Sequence, residues 1–422
     1  MSETAESSAP LLKMVELEGK GRALVASVPL RAGQVVLRDS PILLYSALPL
    51  LVAPHDAQQN HNFEYCSQCF RLVAKEQPSS SCRCPSCSLS IFCSQNCQSL
   101  ALSSSHTPWV CQALKQFGEG SSPLLRCQPD IQVQAHFLVA AYNLAMFCPS
   151  SFQTLLSLQG DPSTFMSSPE AKDSVFFLHS LVLSLPSGPV NLSTFGLSFS
   201  VELTAALLAK DKLNAFGLME PFAPDKERSV RAYGIYPRAS FFNHDCLPNA
   251  CRFDYVDAAT ADGRNLDMTV RVIHDVPCGR EISLSYFPVN LKYSERQKRL
   301  KEDYGFTCDC DRCRVEANWS DQEDEELDED NLGDNEGAAM DEDDDDDDEE
   351  MVAEDGGSVA QDESYFPHAY FFLQYMCNKD NCWGTLAPLP PSDSSTSTVM
   401  ECNVCGSLHQ SKEVLDGNVA EQ

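Results

Sequence analysis

The distribution of apolar and polar residues predicts a strand-rich beginning, a helical middle and a return to strands. Between residues 12 and 55, apolar runs such as LVASV, QVVLRDS and ILLYS are separated by turns, which is typical of strands. From about 130 to 220, apolar residues recur every three or four positions in IQVQAHFLVAAYNLAMF and SVELTAALLAKDKLNAF, which indicates helices. Short strands return over 231–290, and NLKYSERQKRLKEDYGF predicts a charged helix that ends near Gly305. The pattern therefore predicts an α+β protein.

Charge is distributed unevenly along the 422 residues. The formal net charge is −31, but the stretch from Asp321 to Asp355 contains 22 acidic residues and no Lys or Arg. The rest of the chain carries a net charge of −9. The acidic tract has almost no aromatic or β-branched residues, so we expect it to be disordered. Charge of this sign favours basic protein partners and disfavours direct nucleic-acid binding.

The opening sequence MSETAESSAP lacks the basic and apolar regions of a signal peptide. The longest apolar stretch, PILLYSALPLLVAP, is too short to span a bilayer. We therefore expect a nuclear or cytosolic protein with no membrane attachment. Because disulfides are rare in those compartments, the 20 cysteines suggest metal binding.

Cysteine spacing predicts several zinc sites. Eight soft ligands lie within 46 residues, enough for two tetrahedral zinc ions: Cys66, Cys69, Cys84, Cys87, Cys93, Cys97, His106 and Cys111. Cys82 competes with Cys84 as a ligand, and we favour Cys84 because two residues separate it from Cys87, which makes a CxxC pair. A tail cluster predicts a zinc ribbon: Cys377, Cys382, Cys402 and Cys405. A third cluster lacks a fourth ligand: Cys308, Cys310 and Cys313. The cysteines without partners at ligand spacing are expected to be buried thiols: Cys127, Cys148, Cys251 and Cys278.

Several motifs resemble those of one protein family. The order of the first eight ligands resembles a MYND zinc module, although that module more often has three residues between the last His and Cys, where four are present here. FFNHDCLPNACRF and GREISLSY resemble the two signature motifs of SET-domain lysine methyltransferases, CDCDRC resembles a post-SET zinc motif, and GKGRALVA resembles the turn that begins a SET domain. The chain is identified as a member of the SET-and-MYND family, and its acidic tract and tail resemble the shorter ASH-related plant members.

This resemblance implies an architecture of SET-domain β-sheets that form a pseudoknot. A MYND module and a helical insert split the sheets, and a post-SET zinc site and a small zinc ribbon follow. The implied boundaries are 12–60 and 231–290 for the two SET parts, 61–115 for the MYND module, 120–230 for the helical insert, 291–316 for the post-SET segment, 317–364 for the acidic tract and 365–412 for the ribbon.

The resemblance implies a protein-lysine N-methyltransferase that uses S-adenosylmethionine and zinc. The expected substrate is a histone, a ribosomal protein or another basic protein, and the expected state is a monomer. One alternative is a non-catalytic adaptor whose MYND module binds Pro-containing peptides, and another is a structural zinc scaffold. The presence of Asn243, His244 and Tyr286 favours the enzyme, because a degenerate domain is expected to lose at least one of them.

The resemblance also implies a role for individual residues. Tyr286 is the expected catalytic residue and orients the amine. Asn243 binds the amino-acid portion of the cofactor, and His244 contacts its adenine. Cys246 completes the zinc site of the third cluster and so pins the post-SET segment over this loop. The remaining expected contacts are Lys20, Asn214 and Phe306 for the cofactor, and Phe216 and Tyr304 for the lysine channel. Packing remains an alternative for Phe216, and an exposed loop position remains one for Lys20.

Overall fold

The computed structural model describes residues 10–50, 64–73, 81–186, 199–258, 264–318, 369–391 and 397–410. Its strands are β1 Leu12–Leu17, β2 Gly21–Ala26, β3 Val35–Asp39, β4 Leu43–Ser46, β5 Glu64–Tyr65, β6 Leu72–Val73, β7 Cys82–Arg83, β8 Ile91–Phe92, β9 Ala215–Met219, β10 Val230–Ile235, β11 Asn243–His244, β12 Ala250–Asp254, β13 Met268–Val272, β14 Ser283–Leu284, β15 Leu386–Pro388, β16 Val399–Cys402 and β17 Leu408–Gln410. Its α-helices are α1 Gln95–Ser103, α2 Pro108–Phe117, α3 Pro129–Phe147, α4 Pro149–Ser157, α5 Pro162–Phe165, α6 Pro169–Leu183, α7 Val201–Asn214, α8 Tyr293–Arg299, α9 Asp311–Glu316 and α10 Ala369–Tyr375.

Strands from the two ends of the predicted split domain pair with each other. β3 joins β13 and β12 in one antiparallel sheet, and β4 joins β10 and β9 in another. The register pairs Leu37 with Val270 and Tyr45 with Tyr233. Because β3 and β4 precede residue 50 and their partners follow residue 214, the intervening segments are insertions into one strand-rich body.

A parallel pair of two-residue strands brings the signature motifs together. Asn243 of β11 lies opposite Ser283 of β14, and His244 lies opposite Leu284. The amide side chain of Asn249 strengthens this contact, since its Nδ2 donates to the carbonyl of Glu281 and its Oδ1 accepts from the backbone N–H of Ser283. The two stretches, about 40 residues apart in sequence, therefore form one structural unit.

The helical insert has its own apolar core. α3 is nineteen residues long, and ten of its side chains are buried. It packs against α2, α4, α6 and α7, and the shared core includes Phe137, Tyr142, Phe152 and Leu207. The serine at the start of α6, Ser168, accepts a hydrogen bond from the N–H of Ala171 and so caps the helix. The prediction of helices over this region is confirmed.

Two predicted helix ends are informative. The apolar pattern of SVELTAALLAKDKLNAF suggested helix through Phe216, but α7 ends at Asn214 and the following residues form β9, so that part of the prediction is wrong. Pairing of β9 with β10 outweighs the helical pattern there. The predicted end near Gly305 is confirmed. α8 continues as a π-helical turn, Leu300–Tyr304, which stops at Gly305 with a φ of 80°.

The C-terminal strands β15 to β17 form a small sheet that docks on the strand-rich body. Gly33 has a φ of 80°, and a Cβ built on it would lie 2.4 Å from the carbonyl oxygen of Leu389. The backbone of the two units is therefore in close contact. The acidic tract from residue 319 onward lies outside the described residues. Among the residues that are described, no helix has the length and apolar content needed to cross a membrane.

Candidate active site and metal centres

The predicted metal ligands fall into four compact groups. The groups are Cys66, Cys69, Cys93 and Cys97; Cys84, Cys87, His106 and Cys111; Cys246, Cys308, Cys310 and Cys313; and Cys377, Cys382, Cys402 and Cys405. Within each group the ligand atoms lie within 4.8 Å of one another, and all of these cysteines are free thiols. Zinc–sulfur bonds of about 2.3 Å in a tetrahedron place sulfurs about 3.8 Å apart. The observed sulfur pairs are separated by 3.5–4.0 Å, so each group fits a zinc ion.

The first two groups interleave along the chain. The first and third ligand pairs share one centre, and the second and fourth pairs share the other. Cys84 lies 3.7 Å from Cys111 through their sulfurs, whereas Cys82 belongs to neither group, so the structure favours Cys84 as the ligand. The Nε2 atom of His106 faces the sulfur of Cys87, while its Nδ1 faces the hydroxyl of Ser90 at 3.3 Å. A second hydrogen bond of this kind fixes the orientation of a metal-binding imidazole.

Cys246 lies with the three downstream cysteines. Its sulfur is 3.5 Å from that of Cys313 and 4.0 Å from that of Cys308. The guanidinium of Arg296, which is fully buried, donates to the sulfurs of Cys246 and Cys313 at 3.3 and 3.7 Å. Four thiolates around Zn²⁺ carry two net negative charges, and Arg296 offsets part of that charge.

The cysteines outside the four groups do not all behave as predicted. Cys251 is buried, but Cys127 and Cys148 are partly exposed and Cys278 is exposed. The prediction of buried thiols is therefore confirmed only for Cys251, and it is plainly wrong for Cys278. Its position in the turn PCGRE explains the difference, because turns between strands lie at the surface.

Tyr286 lies two residues after β14 in an aromatic cluster. Its hydroxyl donates to the carbonyl of Phe242 at 3.0 Å. Its ring centroid is 4.8 Å from that of Tyr304 and 5.2 Å from that of His244. Burial, followed by the neighbouring Tyr304 and Glu281, raises the pKa of this phenol well above its usual value. The hydroxyl therefore stays neutral near pH 7 and can act as a hydrogen-bonding group.

The loop that carries Asn243 is fixed from outside by Asp39. The carboxylate of Asp39, at the end of β3, accepts hydrogen bonds from the backbone N–H groups of Arg238 and Ala239, both at 2.8 Å. These bonds hold the 3₁₀ turn Ala239–Phe241 that leads into Phe242. Strand β3, which is distant in sequence, thus positions the carbonyl that binds Tyr286.

Lys20 and Asn243 meet at one carboxylate. The ammonium of Lys20 lies 2.9 Å from Oε2 of Glu281, and the amide of Asn243 donates to Oε1 at 2.9 Å. Burial opposes the charge of Lys20, but the hydrogen bond and the charge of Glu281 outweigh it and raise the lysine pKa. Lys20 and Asn243, both predicted to bind the cofactor, are therefore adjacent.

Both ring nitrogens of His244 are engaged within the protein. Nδ1 accepts the backbone N–H of Tyr286 at 3.1 Å, and Nε2 lies 3.3 Å from the sulfur of Cys246. Burial lowers the pKa of His244 to about 3, which keeps the ring neutral. Any contact between this residue and adenine would use its backbone or ring face, because its nitrogens already have partners.

Two other residues predicted to contact the cofactor or the lysine already have partners within the protein. The amide nitrogen of Asn214 donates to the carbonyls of Gln159 and Lys210, both at 2.7 Å, so only its oxygen is left for a ligand. Phe216 packs edge-on against Tyr236 with ring centroids 5.8 Å apart, and it borders the apolar core of the strands. These contacts of Phe216 agree with the packing alternative, and its channel role stays a prediction.

The π-helical turn and Gly305 present two aromatic rings to the site. Tyr304 contacts Tyr286, and the ring of Phe306 lies 6.5 Å from the rings of both Tyr304 and His244. Phe306 is 39% exposed. A large aromatic ring that borders a polar cluster and stays accessible is suited to stacking on a planar ligand.

Comparison with known proteins identifies the family. A family model described as "SET domain" matches residues 21–287, which is more than half of the chain. This chain belongs to the SET-domain family. It is 55% identical to the histone-lysine N-methyltransferase ASHR2 of Arabidopsis thaliana over 95% of this chain and 96% of that protein. It is 26% identical to a SET and MYND domain-containing protein of Dictyostelium discoideum over 65% of this chain and 78% of that one.

These matches confirm the predicted relationship to SET-and-MYND proteins close to the ASH-related plant members. Similarity to a crystal structure of the LSMT SET domain, bound to lysine and AdoHcy, is weak: the TM-score is 0.32 and the identity 14%, over 72% of this chain and 54% of that one.

Several residues that support the SET-domain site were missed in the sequence. Arg296 was interpreted as part of a charged helix face, yet it is buried and forms an ion pair with Glu316. Arg312 pairs with the same carboxylate and donates to the carbonyl of Val289 at 2.6 Å. The i, i+4 spacing of Arg312 and Glu316 could have indicated their pairing, but nothing local indicates that Arg296 turns inward.

Proposed function

We propose that this chain is a protein-lysine N-methyltransferase that uses S-adenosylmethionine. The hydroxyl of Tyr286 carries the proposal. Because it donates its hydrogen to Phe242, its oxygen retains lone pairs that can accept a hydrogen bond from an amine beside the Tyr304 ring. The similarity to ASHR2, which is named a histone-lysine N-methyltransferase, supports the same reaction class.

The residues around Tyr286 fit the cofactor. Lys20 and Asn243 already hold a carboxylate, that of Glu281, so they have the chemistry to bind the carboxylate of an amino acid. The accessible ring of Phe306 can stack on adenine. When bound, S-adenosylmethionine supplies a methyl group on a positively charged sulfur. Aromatic faces near such a cation contribute roughly 0.5–2 kcal/mol each.

Because the phenol of Tyr286 is neutral, it assists methyl transfer through hydrogen bonding. The raised pKa of Tyr286 prevents the phenol from removing a proton from the lysine ammonium at pH 7. Its hydroxyl instead aligns the amine for in-line attack, and alignment is the main contribution an enzyme can make to such a displacement. Loss of hydration in a buried site disfavours the charged ammonium, so the proton is lost to water before transfer.

The substrate we propose is a basic protein of the histone or ribosomal type. The net charge of −31 attracts basic segments at long range. The names of ASHR2 and of other relatives as histone-lysine N-methyltransferases support this choice. We also propose that the protein acts as a monomer. It would act in the nucleus as a chromatin regulator, in the cytoplasm, or in both compartments.

The finer architecture is also part of the proposal. The two interleaved clusters over residues 61–115 correspond to a MYND module, which the name of the Dictyostelium relative supports. Leu100 of that module is 50% exposed and offers an apolar side chain to Pro-containing peptides. The parallel pairing of β11 with β14 supports the pseudoknot.

Tyr286→Phe tests the function. We expect the variant to lose methyl transfer to a basic-protein fraction by about a hundredfold or more, because the amine is no longer aligned. Its cofactor affinity, measured by calorimetry, should stay within a few-fold of wild type. Tyr293→Phe in α8 is the matched control and should be fully active. Equal rates for Tyr286→Phe and wild type would contradict the catalytic assignment, and a wild-type protein that binds no cofactor would support the adaptor alternative.

A further inference from the structure

The imidazole of His244 connects the catalytic strand to a metal ligand. Its Nδ1 accepts the backbone N–H of Tyr286 at 3.1 Å, and its Nε2 lies 3.3 Å from the sulfur of Cys246. Since Nδ1 accepts a hydrogen bond, the hydrogen of a neutral ring is on Nε2 and is donated to the sulfur. Only 6% of the residue is exposed, so water does not compete for either bond.

This side chain continues the hydrogen bonding of the β11–β14 pair. The last backbone contact of the pair runs from the N–H of Asp245 to the carbonyl of Leu284. One step further, the N–H of Tyr286 is held by the imidazole of His244 in place of a backbone carbonyl. The position of the Tyr286 backbone therefore depends on a ring that is itself held by Cys246.

The sulfur of Cys246 is held firmly on its other side. Arg296 donates its Nε–H to this sulfur at 3.3 Å and its Nη1–H to the carbonyl of Leu291 at 2.6 Å. The ion pair with Glu316 holds the guanidinium of Arg296 against α9, the helix that also carries Cys313. The Cys246 sulfur thus receives N–H donors from His244 and from Arg296, and both donors lie in the interior. Such outer partners orient metal ligands and raise metal affinity.

We propose that His244 is a positioning residue that couples the post-SET zinc cluster to the backbone of Tyr286. This inference rests on the proposed methyltransferase function only for its effect on rate. The structural coupling itself, from zinc ligand through imidazole to the Tyr286 N–H, is independent of catalysis. It assigns to the nitrogens of His244 a role other than the adenine contact expected from the family resemblance.

Two conservative variants separate the two hydrogen bonds. His244→Asn places its side-chain oxygen near the position of Nδ1, so it can still accept from Tyr286 but cannot reach Cys246. His244→Gln places its amide nitrogen near the position of Nε2, so it can still donate to Cys246 but offers no acceptor at Nδ1. Zinc transfer to a colorimetric chelator, deuterium exchange of the peptide 283–287, cofactor affinity and kcat are measured on the full chain.

The expected results differ between the two variants. Cys308→Ser lacks a ligand of the post-SET zinc, so the phase of zinc release that is missing in this variant identifies that site. In His244→Asn, zinc release in this phase should be about 10–100-fold faster. His244→Gln should release zinc at the wild-type rate, exchange the 283–287 amides faster, and lose about tenfold or more in kcat with cofactor affinity within threefold. In Cys308→Ser, which keeps His244, the amides of 283–287 should also exchange faster.

Two results would overturn the coupling. One is a tenfold loss of cofactor affinity in both variants with zinc release and exchange unchanged, which would assign His244 to cofactor contact. The other is wild-type exchange over 283–287 in both His244→Gln and Cys308→Ser. If wild-type protein transfers no methyl group, the proposed function fails, whereas the zinc and exchange measurements still decide the coupling.

Discussion

Replacing Glu401 by Gln tests whether the zinc ribbon is an integral part of the SET domain. Glu401 in β16 forms an ion pair with Arg271 in β13, with Oε2 and Nη2 2.7 Å apart. The same carboxylate accepts a hydrogen bond from the hydroxyl of Tyr255. The substitution keeps the size of the side chain and an acceptor for Tyr255, but it removes the negative charge that faces Arg271.

The structure indicates the size of the effect. Arg271 is 2% exposed, and in the described part of the chain its Nε has no hydrogen-bond partner. Loss of one partner from a buried ion pair costs about 3–5 kcal/mol, because the other charge stays buried. The guanidinium retains the ring of Phe253 at 3.6 Å, and the Glu401 side chain is 15% exposed, so we expect a loss of about 2–3 kcal/mol.

The assay is calorimetric and denaturant-induced unfolding of the zinc-loaded chain. Glu64→Gln is the matched control, since Glu64 pairs with Arg83 on the surface at 38% and 55% exposure. An exposed pair of this kind contributes at most about 1 kcal/mol. If Glu401→Gln destabilises the protein no more than Glu64→Gln does, the ribbon is not held by this ion pair and the reasoning fails.

Two further substitutions test the metal dependence of cofactor binding and the pH dependence of stability. Cys308→Ser should weaken cofactor binding in calorimetry, because the zinc cluster no longer fixes the segment that carries Phe306. Cys127→Ser, outside the four groups, is the control. Unchanged cofactor affinity in Cys308→Ser would contradict the coupling. Burial raises the pKa of Asp211 to about 7, above its unfolded value near 4, so the folded state binds an extra proton between these values and stability falls as pH rises through them. Asp211→Asn should therefore reduce the loss of stability between pH 5.5 and 7.5 in urea unfolding, and a slope equal to wild type would rule out this origin.

The metal ligands could be predicted because their signal is local. A CxxC pair places two sulfurs on one turn whatever the rest of the chain does. The interleaving of the first two centres was not predictable, since spacing alone does not state which pair joins which. Cys246 is 62 residues from Cys308, and in the sequence only the family resemblance links them.

The roles of the site residues were harder to predict than their identities. Glu281, His244 and Asn214 are each defined by partners distant in sequence: Glu281 joins Lys20 to Asn243, and Asn214 bonds the carbonyl of Gln159. A motif states which side chain is present but not which of its atoms are already bonded. The apolar pattern also failed at the end of α7, where pairing of β9 with β10 ends the helix.

Apolar burial stabilises the helical insert, whereas the candidate active site depends on a short pair of strands and the contacts that hold it. The helical insert is stabilised by a contiguous apolar core that includes Phe137 and Leu207. By contrast, β11 and β14 are two residues long, and strands of that length are not stable on their own. Tyr286 follows this short pair, so its placement requires the bonds from His244, Asn249 and the Cys246 cluster. We therefore expect metal binding at the Cys246 cluster to stabilise the segment that carries Tyr286, as apolar burial stabilises the helices.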